Sequence, residues 1–438
     1  LSGGTWITQN KVRPGVYINV ETNGGALGTV GSRGITSLAL TLPWGAAKVI
    51  TPIVAGEDTI KTLGFDITAS ELLPVREAQK RARTVLLYKL NDGVKATATI
   101  GALIPTAKYG GTRGNDLKVV VQTNIDDSSK FDVKTLLDNA VVDTQVVANI
   151  AGLKANDWIV WGGTGALTAS AGAPLVGGAN GTVTNADHTA FLAALELYDF
   201  QTVALTSTDN ALKAVYAAFV RRLRESEGKK VQAVLENYPV ADFEGVISVK
   251  NGVVLSDGTT ITAAQATAWV AGASAAAEMN ESLTYSAYDD AVDVTPRYTN
   301  TQIEAALKAG EFLFTPSVNR AVVEQDINTF LSYTPKKGKQ LQKNRVLRVL
   351  DGIANDLKRI FESFYIGKVS NNVDGRALFR KEAVVYLDSL QGIDAIQNFD
   401  AQTDITVSPG NDSDAIYVEA NIQPVDSIEK VYMKVQVR

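Results

Sequence analysis

The chain has 438 residues, 45% apolar and 20% charged, a folded-protein composition long enough for roughly two to four domains of about 100–200 residues each. With 42 basic against 47 acidic residues its net charge is −5, which gives no electrostatic reason to expect nucleic acid or an anionic membrane as partner. There is no cysteine and a single histidine, His188, so disulfides, thiolate nucleophiles, cysteine-ligated zinc and histidine-cluster metal sites are excluded.

Residues 11–20, KVRPGVYINV, predict a strand. Val16, Ile18 and Val20 alternate with Tyr17, Asn19 and Glu21, the period-two pattern of a half-buried strand. Pro14 starts it, where a missing amide costs little. The glycine-rich ETNGGALGTVGSRG that follows offers no hairpin partner. SELLPVREAQKRAR (70–83) predicts a helix, and TVLLYKLNDG (84–93) a strand closed by Asn91-Asp92-Gly93. Beyond it KATATI, DLKVVVQT, FDVKTLLD and DWIVWGG are short β-type runs separated by Gly, Asn, Asp and Ser clusters, which predicts a small all-β domain.

At 184 the period changes. TNADHTAFLAALELY opens with Thr184 and, three residues on, Asp187, a capping-box variant. The strand-like FQTVALTS leads to a helix on which Leu212, Val215, Tyr216, Phe219, Val220 and Leu223 share one face. KVQAVLENY and VISVKNGVVL are further strands, and this alternation predicts a sheet covered by helices. TAAQATAWVAGASAAAEMN (262–280) is an alanine-rich helix whose small residues admit a neighbouring backbone closely. A second long helix spans about 343–366, with Val346, Val349, Leu350, Ile353, Leu357, Ile360, Phe361 and Phe364 as its stripe. The end of the chain returns to β. Ile405 and Val407 precede the turn NDSD, and Ile416, Val418, Ala420 and Ile422 alternate after it. In a final strand Val431, Met433, Val435 and Val437 alternate with Tyr432, Lys434, Gln436 and Arg438.

Signals for chemistry are weak. His188 lies at the start of a helix with no nucleophile-elbow serine, and reads as a polar residue at a solvated helix end. GGANGT lacks the Gly-Lys-Ser/Thr ending of a phosphate loop, WGGTGALTA lacks the dinucleotide-fingerprint spacing, and neither YDDAVDV nor PGNDSD fits a calcium loop. No catalytic residue, metal or cofactor is expected. One charge feature stands apart: KKGKQLQKNRVLR (336–348) holds Lys336, Lys337, Lys339, Lys343, Arg345 and Arg348 and no acid. It reads either as a solvated loop and helix start or as a cationic patch facing an acidic partner, another copy of the chain included.

The arm RPGVYINV, with VLLYKLNDGVKA, AKYGGTRGNDLKV, LVGGANGTVTNADHTAFLAALE, AWVAGASAAAEMNESLTY, VEQDINTF and IQPVDSIEKVYMKVQV, resembles the tail sheath protein of contractile phage tails. The resemblance is to the compact type found in Gram-positive myophages and in defective-prophage or bacteriocin-like particles, and it runs the whole chain in order. It implies a structural, non-enzymatic subunit whose terminal strands, carrying Val16, Tyr17, Ile18, Val20, Val431, Met433, Val435 and Val437, join sheets in neighbouring copies. It also implies hexameric rings stacked as a helical sheath, with a tail tube, a baseplate and a tail terminator as partners. It implies neither nucleic acid nor membrane insertion, and it implies assembly in the host cytoplasm. The family's middle α/β region is sometimes called subtilisin-like, but this chain displays no triad.

The expected fold is α+β and multidomain: a central α/β region with covering helices, an all-β peripheral domain and exchanged terminal strands. The expected segments are an arm (1–24), an N-terminal α/β subdomain (25–94), the all-β domain (95–185), an α/β core (186–335), and a C-terminal helix plus β domain with a terminal strand arm (336–438). The competing readings are an α/β hydrolase-like enzyme and a β-rich surface or adhesive subunit. The sequence shows no signal peptide and no run near the roughly 18–20 apolar residues that span a bilayer. It begins at Leu1, from which a short missing leader is expected.

Overall fold

The computed structural model describes residues 2–4, 15–17 and 30–437. The chain forms two compact units, one of Ser32–Asn355 with Pro424–Arg438 and one of Leu1–Gly31 with Asp356–Gln423.

A seven-stranded sheet organises the larger unit. In spatial order its strands are Glu311–Phe312, Val246–Val249, Gln232–Glu236, Thr202–Ala204, Ile35–Leu40, Thr84–Lys89 and Ile50–Val54. Every neighbouring pair is parallel except the last, in which Ile50–Val54 runs antiparallel to Thr84–Lys89. Both faces are covered, so the strands read as nearly unbroken apolar runs. Leu38, Val85, Leu87 and Val234 point into the core beneath helix Ala263–Ala276, whereas Ala39, Leu86, Tyr88 and Leu235 join Phe191, Tyr216 and Phe219 on the opposite face. Trp269 is stacked on Tyr288 with ring centroids 4.4 Å apart and donates its indole N–H to Asp289 at 2.9 Å. The small-residue helix does admit a neighbouring backbone: a Cβ on Gly272 would overlap the main-chain carbonyl of Ala78.

The β-rich region has one core between two sheets. Ala140–Val147, Phe131–Leu137, Leu117–Thr123 and Ser170–Pro174 form a four-stranded sheet, and Ile159–Gly163 pairs with Leu103–Ala107. Leu117, Val119, Val121 and Val133 meet Ile159, Leu103 and Trp158 across it.

Several expectations change in detail. The run at 70–83 is a 3-10 turn, Ser70–Leu72, followed by a short helix, Leu73–Gln79. VISVKNGVVL divides between two sheets: Val246–Val249 enters the parallel sheet and Gly252–Leu255 pairs with Thr260–Ile261 and Ala291–Thr295. KATATI makes only isolated bridges at Thr97 and Ile100. Val215 is exposed because it sits at the margin of the apolar arc of helix Asn210–Glu225, whose other predicted residues are buried. The capping box at Thr184 and Asp187 is present.

Lys89 ends a central strand, 3% exposed, and its ammonium donates to the carbonyls of Gly110 at 2.7 Å and Gly45 at 3.3 Å. Burial pushes its pKa down to about 8. The unfolded chain therefore binds the proton more tightly than the folded one, and the penalty is complete below that value and gone above the ordinary lysine range. Stability should rise between about pH 8 and 10.4 by up to about 3 kcal/mol on this account. Urea titrations of the wild type and Lys89→Met across that window test it, since the rise should be missing from the variant; parallel profiles would refute it.

In the smaller unit, helix Val373–Gly392 buries Phe379, Ala383, Tyr386, Leu387 and Leu390. Asn372 caps it, accepting from the amide of Gly375 at 2.8 Å. Arg380 donates to the carbonyls of Ala401 and Ile405 and so ties the helix to the start of a hairpin. That hairpin pairs Ile405–Pro409 with Ile416–Ala420, Val407 facing Val418, as the alternation predicts.

Candidate functional site

His188 is buried rather than solvated. It falls in register with Phe191, Leu192 and Leu195 on the inward face of helix Asn185–Leu195. Its Nδ1 lies 2.9 Å from the Tyr216 hydroxyl, and burial lowers its pKa. Among the described residues no carboxylate or serine is hydrogen-bonded to it, so the geometry is that of a satisfied core histidine. Among the described residues no group of acids and histidine is placed to hold a metal, and no helix is long and apolar enough to cross a membrane.

What is unusual is at the chain ends. Gly15–Tyr17 pairs in parallel with Ser2–Gly4, Gly3 facing Val16 and Gly4 facing Tyr17. The opening strand, which the sequence leaves without a mate, thus finds one inside its own arm, while Ile18 and Val20 lie outside the described residues. Where the arm meets the folded unit, the Gly31 amide donates to both oxygens of Asp356 at 3.1 and 3.0 Å. The Tyr386 hydroxyl donates to the same carboxylate at 2.9 Å.

At the other end, residues 427–437 join no β-ladder among the described residues. The predicted alternation is there, but neither face is covered: Val431, Met433, Val435 and Val437 are 76%, 79%, 75% and 95% exposed, and Tyr432 on the other side is 91% exposed. Just before them Glu429 is held firmly. It accepts from Gln325 at 2.7 Å, Thr284 at 2.9 Å and Ser427 at 3.2 Å, and pairs with Lys343. Burial pushes the Glu429 carboxyl up, but the hydrogen bonds from Gln325 and Lys343 outweigh it and hold the group below the ordinary glutamate range.

The cationic stretch is only partly available. Lys337 pairs with Glu244 at 2.8 Å, and Lys343 with Glu429. Arg348 is buried, donating to the Glu281 carbonyl at 2.6 Å and lying 3.4 Å from Asp326. Arg345 is half-buried, whereas Lys336 and Lys339 are exposed. Sequence reasoning missed the internal carboxylates because Lys337 and Glu244 are 93 residues apart and Lys343 and Glu429 are 86 apart.

Within the smaller unit the hairpin is a two-stranded sheet, and among the described residues neither outer edge pairs with a further strand. Asn371 braces its turn through the carbonyls of Ser413 and Ala415 at 2.9 and 2.8 Å. Beside it lies a groove of about 490 Å³ lined by Phe361, Tyr365, Arg376, Phe379 and Ile416, its aromatic rings edge-to-face at 5.1 and 5.7 Å.

Comparison with known proteins identifies the family of this α+β chain. Four family models match in order: the tail sheath protein Gp18 domain III N-terminal region over residues 33–90, the phage tail sheath protein beta-sandwich domain over 91–180, the phage tail sheath protein central domain over 181–329, and the phage tail sheath C-terminal domain over 336–438. The chain belongs to the phage tail sheath family, a structural family. The phage-like element PBSX protein XkdK of Bacillus subtilis is 40% identical, with all of both chains covered. The sheath tail protein of Desulfitobacterium hafniense superposes with a TM-score of 0.87 at 59% identity, over 97% of this chain and 100% of that one. The anti-feeding prophage helical sheath in its contracted state shares the fold alone, with a TM-score of 0.58 at 14% identity over 97% of this chain and 99% of that one.

Proposed function

We propose that this chain polymerises by exchanging its terminal strands between copies into stacked hexameric rings around a tail tube, and that contraction of this sheath drives the tube through a bacterial envelope. The observation that carries the reading is the C-terminal segment, a β-alternating stretch whose apolar residues are exposed on its own subunit. Adding such a strand to a neighbour's sheet supplies main-chain hydrogen bonds for affinity and alternate side chains for register. The free edges of hairpin Ile405–Pro409/Ile416–Ala420 are the acceptor this reading assigns. A head-to-tail contact of this kind closes into rings or propagates as a helix.

Lys336 and Lys339, the exposed part of the cationic stretch, are the candidates for a contact with the tube or another copy. A baseplate and a tail terminator bound the polymer, the particle is a virion tail or tail-like device, and assembly takes place in the host cytoplasm. In contraction the strand links stay paired while the bodies rotate and repack. Negative-stain microscopy of the purified protein tests the assembly step. Hollow tubes or rings of fixed diameter are expected, and uniform small globules at high concentration would refute it.

A further inference from the structure

Near each chain end a carboxylate is held by several hydrogen bonds. Asp356, on helix Asn344–Phe364, clasps the Gly31 amide with both oxygens at 3.1 and 3.0 Å. A Cβ on residue 31 would overlap Asp356 Oδ1, so a larger residue there would push the carboxylate out of this clasp. Glu429 gathers donors from three separate places in the larger unit, Thr284, Gln325 and Lys343, and from its neighbour Ser427. Residues 430–437, just past it, are exposed. Charge-assisted hydrogen bonds to a partly buried carboxylate are among the stronger polar contacts a chain can make, and here they fall at the last fixed point of a segment whose partner lies elsewhere.

We propose that Asp356 and Glu429 are positioning residues for assembly, pinning the roots of the N- and C-terminal segments so that each leaves its subunit at a fixed point and in one register. This rests on the strand-exchange reading and adds to it the residues that set reach and aim. With Glu429 held, the free tether is Lys430–Arg438, about nine residues; without it the tether extends back to Pro424, about fourteen, since Pro424 is the last residue in a strand. Effective concentration at a distant acceptor falls roughly as the −3/2 power of tether length, so release costs about twofold per link before any loss of register.

The test uses the full chain carrying Glu429→Ala, with Gly31→Ala as the counterpart at the other end. Two readouts are taken: the critical concentration for polymerisation, and the rate of tryptic cleavage after Lys430 relative to Lys434 in the unassembled protein. For Glu429→Ala, cleavage at Lys430 should rise to match Lys434 and the critical concentration should rise at least about twofold, with the thermal midpoint of the body unchanged. For Gly31→Ala the critical concentration should rise likewise.

A Glu429→Ala protein with wild-type cleavage and wild-type critical concentration would overturn the proposal. So would one whose only change is a lowered melting point, the signature of a merely structural carboxylate. Deleting residues 430–438 separates the two claims. If that chain still polymerises, the strand-exchange reading fails; if it does not, while Glu429→Ala assembles normally, the pin alone fails.

Discussion

A chain lacking residues 1–21 is expected to fold and to stay monomeric. Strands Ser2–Gly4 and Gly15–Tyr17 pair with each other and with no other strand among the described residues, so their loss removes no ladder from the body. The seven-stranded sheet and its two cores draw on residues from Ile35 onward. The thermal midpoint should therefore move by no more than a few degrees, while polymer yield should fall to background. The all-or-none outcome follows from multivalency. In a lattice where each subunit donates at both ends, individually weak links hold only because the others keep the partners close, and removing one class of link uncouples every neighbour in that direction. Sedimentation at matched concentration checks the prediction. Tubes from the truncated chain would show that the arm is not what links the copies.

The second large effect concerns the body itself. Arg224 is 4% exposed and makes a two-pronged pair with Asp351, 2.6 and 2.8 Å, while also donating to the Val231 carbonyl at 3.1 Å. Burial disfavours its charge, and the neighbouring Asp351 more than compensates, so the guanidinium is held above its usual pKa. Replacing Asp351 by Ala leaves a buried cation without its anion, at a cost of about 3–5 kcal/mol. The double replacement Arg224→Met with Asp351→Leu should recover most of that, because the expense lies in an uncompensated charge rather than in the missing attraction. Urea unfolding of the unassembled chains reads both. A single variant within about 1 kcal/mol of wild type would mean that water or Glu244 takes over the pairing.

The parts of this molecule legible in its sequence are those in which one face of one element decides the pattern. VLLY, QAVLE and VISV declare strands because both sides of each are covered, and Thr184 with Asp187 declares a helix start because that contact is local. Strand order in the sheet is not legible, since Ile35–Leu40 pairs with Thr202–Ala204 and Thr84–Lys89 across long separations that leave no local trace. Helix Val373–Gly392 has no counterpart in the sequence reading: its buried positions Phe379, Ala383, Tyr386 and Leu390 form a narrow stripe among Arg376, Lys381 and Glu382. Residues 431–437 read as an alternation with no neighbour in sequence to complete it, and among the described residues they join no ladder. Their root is not legible in the sequence. Lys343 looked like one cation among several, and only folding brings Glu429 to it.

The division of the chain also carries a consequence for timing. The unit holding the hairpin is made of Leu1–Gly31 and Asp356–Gln423, so its first segment leaves the ribosome before the rest of the unit exists. At about 5–20 residues per second the interval between the two is roughly 20–80 s. If strands are exchanged as proposed, a nascent subunit would during that time have an arm to give and no edge on which to receive one. Two half-built copies on one message would then have no edge between them, and any link would need one finished chain.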